Sequence, residues 1–326
     1  MRTFTFKGLF LTAVFTLLGC LTIQAADDDL ITKQITIKLD EAGTLPNIIA
    51  SSEMYKITNL KIIGEINGTD LRMIREMAGR DYRGDVTEGN LSVLDLSEAK
   101  IVKGGDYYYY PKYYYTSNDE IGDNAFSGCS GLTSLNLPAG INEIGESAFF
   151  GCSGLTSLNL PAGITSISWG AFYGCSGLTS LNLPAGITSI DKYAFSGCSR
   201  LTSLTLPAGI TSIGEFAFSY CSGLTSIYVY AEKVPRIGRY AFEGCASRKC
   251  TLYVPKGTYD NYRLSELGYF ENIVEFDATG IDKTTTSTDV EEVSRYSLNG
   301  QRLVGPTKGL NIVKYSDGSV KKVAVE

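Results

Sequence analysis

Cysteine recurs at a fixed interval: Cys129, Cys152, Cys175, Cys198 and Cys221 stand 23 residues apart, and Cys245 follows after 24. Evenly spaced thiols could form disulfides, hold a soft metal or act as nucleophiles, but the last two chemistries usually recruit histidine. The chain has none in 326 residues, which excludes a Ser-His-Asp or Cys-His site and any His-ligated zinc. No cofactor and no metal site is expected. If successive copies stack, neighbouring cysteines come within disulfide reach at about 4.8 Å, and an oxidising compartment would permit the bond. The commoner fate of such a residue is a small buried apolar thiol. A ladder of buried thiols is therefore predicted, with Cys245 and Cys250 in a different local context.

Two other groups suit contact rather than catalysis. Tyr107, Tyr108, Tyr109, Tyr110, Tyr113, Tyr114 and Tyr115 surround Pro111 and Lys112. Seven rings cannot all enter one core, and exposed tyrosine supplies rigid amphipathic contact area for protein or sugar; packing as cover on the neighbouring fold is the alternative. Thr133, Ser134 and Asn136 recur as Thr156, Ser157 and Asn159 and again as Thr179, Ser180 and Asn182. Near-identical polar triplets suit a flat, multivalent contact or simply a soluble face. No carboxylate pair can be singled out from the scattered Asp and Glu. The Gly151–Gly154 stretch lacks the GxxxxGK[ST] phosphate loop, so no catalysis is expected.

The elements that position these residues follow from the repeat. Ala-Phe pairs at Ala125, Ala148, Ala171, Ala194, Ala217 and Ala241 mark successive copies such as AFFGCSGLTSLNLPAGITSISWG. A 23-residue period with LxxLxL falls in the leucine-rich-repeat range. In the second copy LTSLNL alternates as a strand, Leu155, Leu158 and Leu160 pointing inward. Pro161-Ala162-Gly163 ends it, Ile164 and Ile167 return to the core, and Ala171, Phe172 and Cys175 suggest one helical or 3₁₀ turn. One such coil cannot hide both its faces, so stacking and distinct caps are required. The predicted fold class is a strand-rich α/β leucine-rich-repeat solenoid with a parallel sheet and one short helical turn per coil.

Residues 26–120 read as an N-terminal cap of diverged half-coils. LKIIGEI (60–66) and LSVLDLS (91–97) are strands, and a helix starting at Asp70 carries Leu71, Ile74, Met77 and Ala78 as its apolar stripe. The solenoid is assigned to 121–277, closing through strands at 227–230 and 250–254 and the segment 259–276. Residues 278–292 read as a linker, and 293–326 as a small β tail with turns at Asn299-Gly300 and Ser316-Asp317-Gly318.

The motif AFxGCxxLTSLxLPxGITSI resembles the BspA-type class of leucine-rich repeats, and Gly64–Arg72 with Leu94–Tyr107 is similar to the N-terminal region of that family. The resemblance implies a surface protein that adheres to host proteins, cells or other bacteria. The tail SLNGQRL…KGLNIVKYSDGSVKKVAVE is similar to sorting tails of type IX secretion.

Residues 1–25 carry Arg2, Lys7 and an apolar run from Leu9 to Leu18, the pattern of a signal peptide and too short to span a bilayer. Leu17-Leu18-Gly19-Cys20 resembles a lipobox that would make Cys20 a lipidation site, although Leu18 replaces the usual small residue. Ile23-Gln24-Ala25 before Ala26 resembles an ordinary cleavage site. The expected location is the cell surface, outer membrane or exterior, with membrane contact only through a lipid anchor. A net charge of −6 without a long basic run argues against nucleic acid. The expected partner is a protein or glycan, with a glycan-binding or scaffolding component of a polysaccharide-using system as the alternative to an adhesin.

Overall fold

The computed structural model describes residues 30–278, 292–297, 302–303, 309–315 and 320–325. They fall into two compact units divided between Ala278 and Thr279. The expected signal peptide, Cys20, the linker beyond Ala278 and both tail turns lie outside the described residues.

The first unit is built on a ten-stranded parallel sheet that runs without a break from Ile35–Leu39 through Asn59–Ile66 and Val93–Ile101, across the repeats, to Thr251–Pro255 and Asn272–Phe276. The cap thus shares its sheet with the repeat. In the repeats each strand is short, as in Ser157–Asn159, because leucine, polar, leucine alternation lasts only until the Pro-Ala-Gly turn. Leu135, Leu158, Leu181 and Leu204 are buried, while Asn136, Asn159 and Asn182 face out. Successive strands pair residue for residue, Ser157 beside Ser180 and Leu158 beside Leu181. A one-residue slip would turn every leucine outward.

A second parallel sheet was not foreseen from the sequence. Ser166–Ile167, Ser189–Ile190, Ser212–Ile213 and Arg236–Ile237 pair in order, with Ile167, Ile190 and Ile213 buried. The residues around Ala-Phe were expected to make a helical or 3₁₀ turn. Bonds of the 3₁₀ kind are present, such as Phe150 N–H to Ser147 O (3.0 Å) and Cys152 N–H to Phe149 O (3.1 Å), but no helix forms in the repeats. The intervening amides donate to the next coil instead: Ser147 to Trp169 O (2.9 Å), Phe149 to Ala171 O (2.8 Å) and Gly151 to Tyr173 O (2.7 Å). Turning alternate amides outward requires left-handed backbone at two positions four residues apart, Ser147 (φ 54°) and Gly151 (φ 68°), then Tyr193 (58°) and Gly197 (78°), then Phe216 (55°) and Tyr220 (58°). That geometry interrupts a right-handed helix and ties the coils together.

The core holds a column of phenylalanines. Phe126, Phe149, Phe172, Phe195, Phe218 and Phe242 are buried, and consecutive rings stack at 5.1–5.5 Å within 8° of parallel.

The N-terminal cap solves a specific problem. In every interior coil three carbonyls accept from the preceding coil, for example Glu146, Ala148 and Phe150 from Asn124, Phe126 and Gly128. The first coil has no preceding coil, so its equivalents, Asp123, Ala125 and Ser127, would be orphaned. Tyr108 Oη donates to Asp123 O (3.0 Å), and the buried Arg75 guanidinium donates to Ala125 O (2.9 Å), Ser127 O (3.3 Å) and Asn124 O (2.8 Å). Arg75 sits on the helix Gly68–Met77, which begins before Asp70: Asn67 is the N-cap, and Asp70 returns a bond to Asn67 N–H (2.9 Å) as the partner of a capping box. The buried Asp70 carboxylate also accepts from Gly43 and Leu45 amides, fixing the cap's first loop.

At the far end the helix Tyr259–Arg263 and the 3₁₀ helix Glu266–Tyr269 close the array. Phe270 meets Phe242 edge to face at 5.5 Å, and buried Tyr262 donates to Ala231 O (2.5 Å). The second unit pairs Glu292–Ser297 with Arg302–Leu303 and with Gly309–Tyr315, and the latter with Val320–Val325, all antiparallel.

Candidate binding surface

The tyrosine segment forms a hairpin, Gly104–Tyr109 against Tyr114–Thr116, seated on the cap helix and tied to it by Asp106 N–H to Thr69 Oγ1 (3.0 Å). Strand alternation separates its rings into two sets. Tyr108 is 1% exposed, and burial drives its phenol well above the usual tyrosine range. It is a cap for Asp123 and cannot meet a ligand, which corrects its assignment as a contact residue. Tyr109 and Tyr114 are half-buried and stack on each other at 6.2 Å, with Arg75 5.2 Å from the Tyr109 ring; these two rings serve partly as cover. The other four project. Tyr110, Tyr113 and Tyr115 are 43%, 50% and 55% exposed, and half-buried Tyr107 is their hub, meeting Tyr113 at 5.0 Å and Tyr115 at 6.2 Å edge to face.

Sequence reasoning missed three further members of this cluster. Tyr82 meets Tyr107 at 5.6 Å, and the Arg72 guanidinium lies 3.7 Å from the centre of the Tyr82 ring and 5.5 Å from that of Tyr107. Arg83 Nε donates to Tyr82 Oη (3.0 Å). The patch thus combines aromatic rings with two guanidinium groups, the residue types that dominate binding energy at protein interfaces.

The polar triplets divide by role. Thr133, Thr156 and Thr179 spend their hydroxyl protons on the preceding strand, Thr156 Oγ1 to Thr133 O and Thr179 Oγ1 to Thr156 O both at 3.2 Å, and Thr133 Oγ1 to Ser92 O at 3.0 Å. They staple the coils and retain only acceptor capacity for a ligand. Ser134, Ser157 and Ser180 with Asn136, Asn159 and Asn182 form the outward rows. Toward the C-terminal end the asparagine row becomes Thr205, Tyr228 and Tyr253, and the last two rings stack at 4.4 Å.

A second aromatic feature lies beside the smaller sheet. Phe150 stacks on Tyr173 (4.9 Å), Tyr173 and Trp169 both approach Tyr193 (6.4 and 6.1 Å), and Tyr193, Phe216 and Tyr240 continue at 5.1 and 5.2 Å. This ridge crosses five coils. Its signal in the sequence is the variation around Ala-Phe, where Tyr193, Phe216 and Tyr240 stand immediately before the pair, Trp169 two residues before it, and Phe150 and Tyr173 directly after it. Next to it a groove of about 630 Å³ runs over the smaller sheet, lined by residues of four coils.

Residues 119–249 match the family model of the BspA type leucine rich repeat region in six copies. That segment is a BspA-type leucine-rich-repeat region. Among solved structures the chain is similar to a T. pallidum leucine rich repeat protein (29% identity over 49% of this chain, TM-score 0.34). It is also similar to a leucine-rich repeat protein from Bacteroides ovatus (21% over 68%, 0.33) and to the pneumococcal vaccine antigen PcpA (15% over 70%, 0.42). The chain spans 62%, 62% and 61% of those three chains. No curated protein matches it. BspA-type proteins are typically surface-exposed and non-enzymatic, and leucine-rich-repeat proteins generally bind protein ligands.

Within the BspA-type region the cysteine ladder, Cys245 included, stands as free, buried thiols, and Cys250 just beyond it is free and buried too. From Cys152 onward each ladder thiol donates to the phenylalanine carbonyl one coil back, as in Cys152 to Phe126 O (3.1 Å), Cys175 to Phe149 O (3.1 Å) and Cys221 to Phe195 O (3.2 Å). Burial pushes the Cys175 thiol up to about 12 and that of Cys250 up to about 11, which suppresses the nucleophilic thiolate. Among the described residues no cluster of Cys, Asp and Glu could hold a metal, and no helix is long and apolar enough to cross a membrane.

Proposed function

We propose that this is an exported adhesive protein that captures protein ligands on host or bacterial surfaces through the tyrosine–arginine cluster of its N-terminal cap. The observation that carries the reading is the gathering of exposed Tyr110, Tyr113, Tyr115 and Arg83 around half-buried Tyr107, Tyr82 and Arg72, where a hairpin held by the buried Tyr108 meets the cap helix and the segment after it. Tyrosine loses little conformational freedom for the area it covers, and both tyrosine and arginine are enriched among interface hot spots. Edge-to-face packing leaves ring faces available to a partner. The serine and asparagine rows of the main sheet extend the contact as a repetitive polar wall, suited to a multivalent partner. Export through the N-terminal 25 residues, anchoring by Cys20 or release after Ala25, and sorting by the tail complete the proposal.

The test is capture of soluble matrix proteins and of bacterial surface-protein extracts by the immobilised chain, compared with its Tyr110→Ser/Tyr113→Ser/Tyr115→Ser variant. Loss of two or more hot-spot rings should weaken capture by roughly 30-fold or more. The melting temperature should stay within about 2 °C because the three rings are exposed. Undiminished capture by the triple variant would reject the cluster as the binding site.

A further inference from the structure

The groove over the smaller sheet has a composition that the protein-binding reading does not use. Its floor is formed by Ser166, Ser189 and Ser212 with their sheet backbone, and its wall carries Asp191, Lys192 and Glu215, the last two paired at 3.4 Å. Arg236 and Arg239 close the C-terminal end. Both are exposed and neither makes a salt bridge among the described residues; Arg239 lies only against the Tyr240 ring, at 5.0 Å. The aromatic ridge borders the groove closely, because Trp169, Tyr193, Phe216 and Tyr240 each follow a lining residue in sequence.

We propose that this groove binds a linear anionic polysaccharide, at a site separate from the tyrosine hairpin. Three observations select that occupant. First, the isoleucines beneath the floor, Ile167, Ile190 and Ile213, are each 1% exposed and only Ile237 in the lining is half-buried, so the groove presents hydroxyls and charges over a shallow floor and no enclosed apolar pocket for a peptide side chain. The central strands of the floor are paired on both sides, which leaves them no edge for an added peptide strand. Second, the serine position recurs over three coils, Ser166, Ser189 and Ser212, at about 4.8 Å, and the Tyr193, Phe216 and Tyr240 rings follow one another at 5.1 and 5.2 Å, close to the advance of one sugar in an extended hexopyranose chain, so a repetitive glycan meets a repetitive surface. Third, two unpaired guanidinium groups at one end are suited to a carboxylate or sulfate, which arginine holds through paired N–H donors. Lys192 neutralises Glu215 in the wall, and Arg236 and Arg239 outweigh Asp191, so the lining as a whole is positive.

Affinity electrophoresis of the full chain through gels containing polygalacturonate, chondroitin sulfate, dextran or poly-glutamate tests the proposal. Retardation is expected with polygalacturonate and chondroitin sulfate alike if the carboxylate that both carry is read, or with chondroitin sulfate alone if sulfate is read. Mobility in dextran and poly-glutamate should not change. Arg236→Gln/Arg239→Gln should weaken binding by roughly tenfold or more, and Trp169→Ala should weaken it with the melting temperature unaltered. The triple hairpin variant should bind the glycan as the native chain does, which separates this site from the proposed protein-binding patch. Absence of retardation by either acidic polysaccharide, undiminished retardation of the arginine variant, or equal retardation by dextran or poly-glutamate would overturn the proposal.

Discussion

Arg75 carries the sharpest prediction about how the solenoid is held. Its guanidinium is fully buried and donates to Asn124 O and Ala125 O at 2.8 and 2.9 Å and to Ser127 O and Asp81 O at 3.3 Å. Arg75→Met keeps the length of the stem but leaves the two closest carbonyls without a donor, each costing about 1–3 kcal/mol when buried. Removing the charge returns part of the desolvation cost of burying it, so a net loss of about 3 kcal/mol is expected. In a stacked solenoid the loss should be local, since each coil contacts only its neighbours. Native-state hydrogen exchange is the assay: the Asn124, Phe126 and Gly128 amides, which bond to the second coil, should exchange about a hundredfold faster. The Phe195 and Phe218 amides, three and four coils away, should stay within about threefold of native. Arg75→Lys should fall between, because lysine keeps the charge and loses the fork. A change below about 1 kcal/mol, or equal acceleration in every coil, would refute the idea that Arg75 substitutes for a missing coil.

Other consequences follow from the interior. Phe172→Ala removes one ring from a stacked column and should cost about 3–5 kcal/mol in chemical denaturation; a loss under 1 kcal/mol would mean that the column is not packed. Thr156→Val deletes one inter-strand staple and should cost about 0.5–1.5 kcal/mol without altering capture of protein ligands, whereas a binding loss at unchanged stability would return the threonine row to the contact surface. Gly174, at φ +69°, has room for a methyl group, its nearest neighbour standing 3.7 Å away, so Gly174→Ala should cost only the left-handed backbone strain of about 1–2 kcal/mol. The Cys175 and Cys250 thiols have folded pKa values raised above those of an unfolded chain. The folded state therefore holds their protons longer, and the stability they contribute is intact below about pH 8.5 and declines as pH rises toward 11 to 12. Alkaline denaturation monitored with thiol titration should show slow labelling when native and full labelling on unfolding, and rapid native labelling at pH 8 would contradict burial.

The legible part of this fold was carried by side chains repeated at one spacing. Leu158, Ile167, Phe172 and Cys175 recur in register and are buried where the alternation and the turn residues place them. What escaped depends on backbone or on distance. Left-handed positions occupied by Ser147, Tyr193 and Phe216 carry none of the glycine signal that usually marks them, so alternate bonding looked like a helical turn. The second sheet has only two residues per strand, Ser166–Ile167, too few for a period. Arg75 reaches carbonyls some 50 residues onward, a relation no local pattern contains. Of the candidate surface, the tyrosine run was visible as composition, but the burial of Tyr108 and the company of Arg72, Tyr82 and Arg83 required the hairpin's placement on the cap helix. The threonine row looked available because its hydroxyls are exposed, although strand pairing had already claimed their protons.

Hydroxyl-radical footprinting of the chain with a captured protein ligand addresses the functional account most directly. Protection concentrated on Tyr107, Tyr110, Tyr113 and Tyr115, with Trp169 and Tyr240 left reactive, is the result the account requires. Unchanged labelling of the hairpin rings beside a protected main-sheet face or smaller-sheet groove would contradict it.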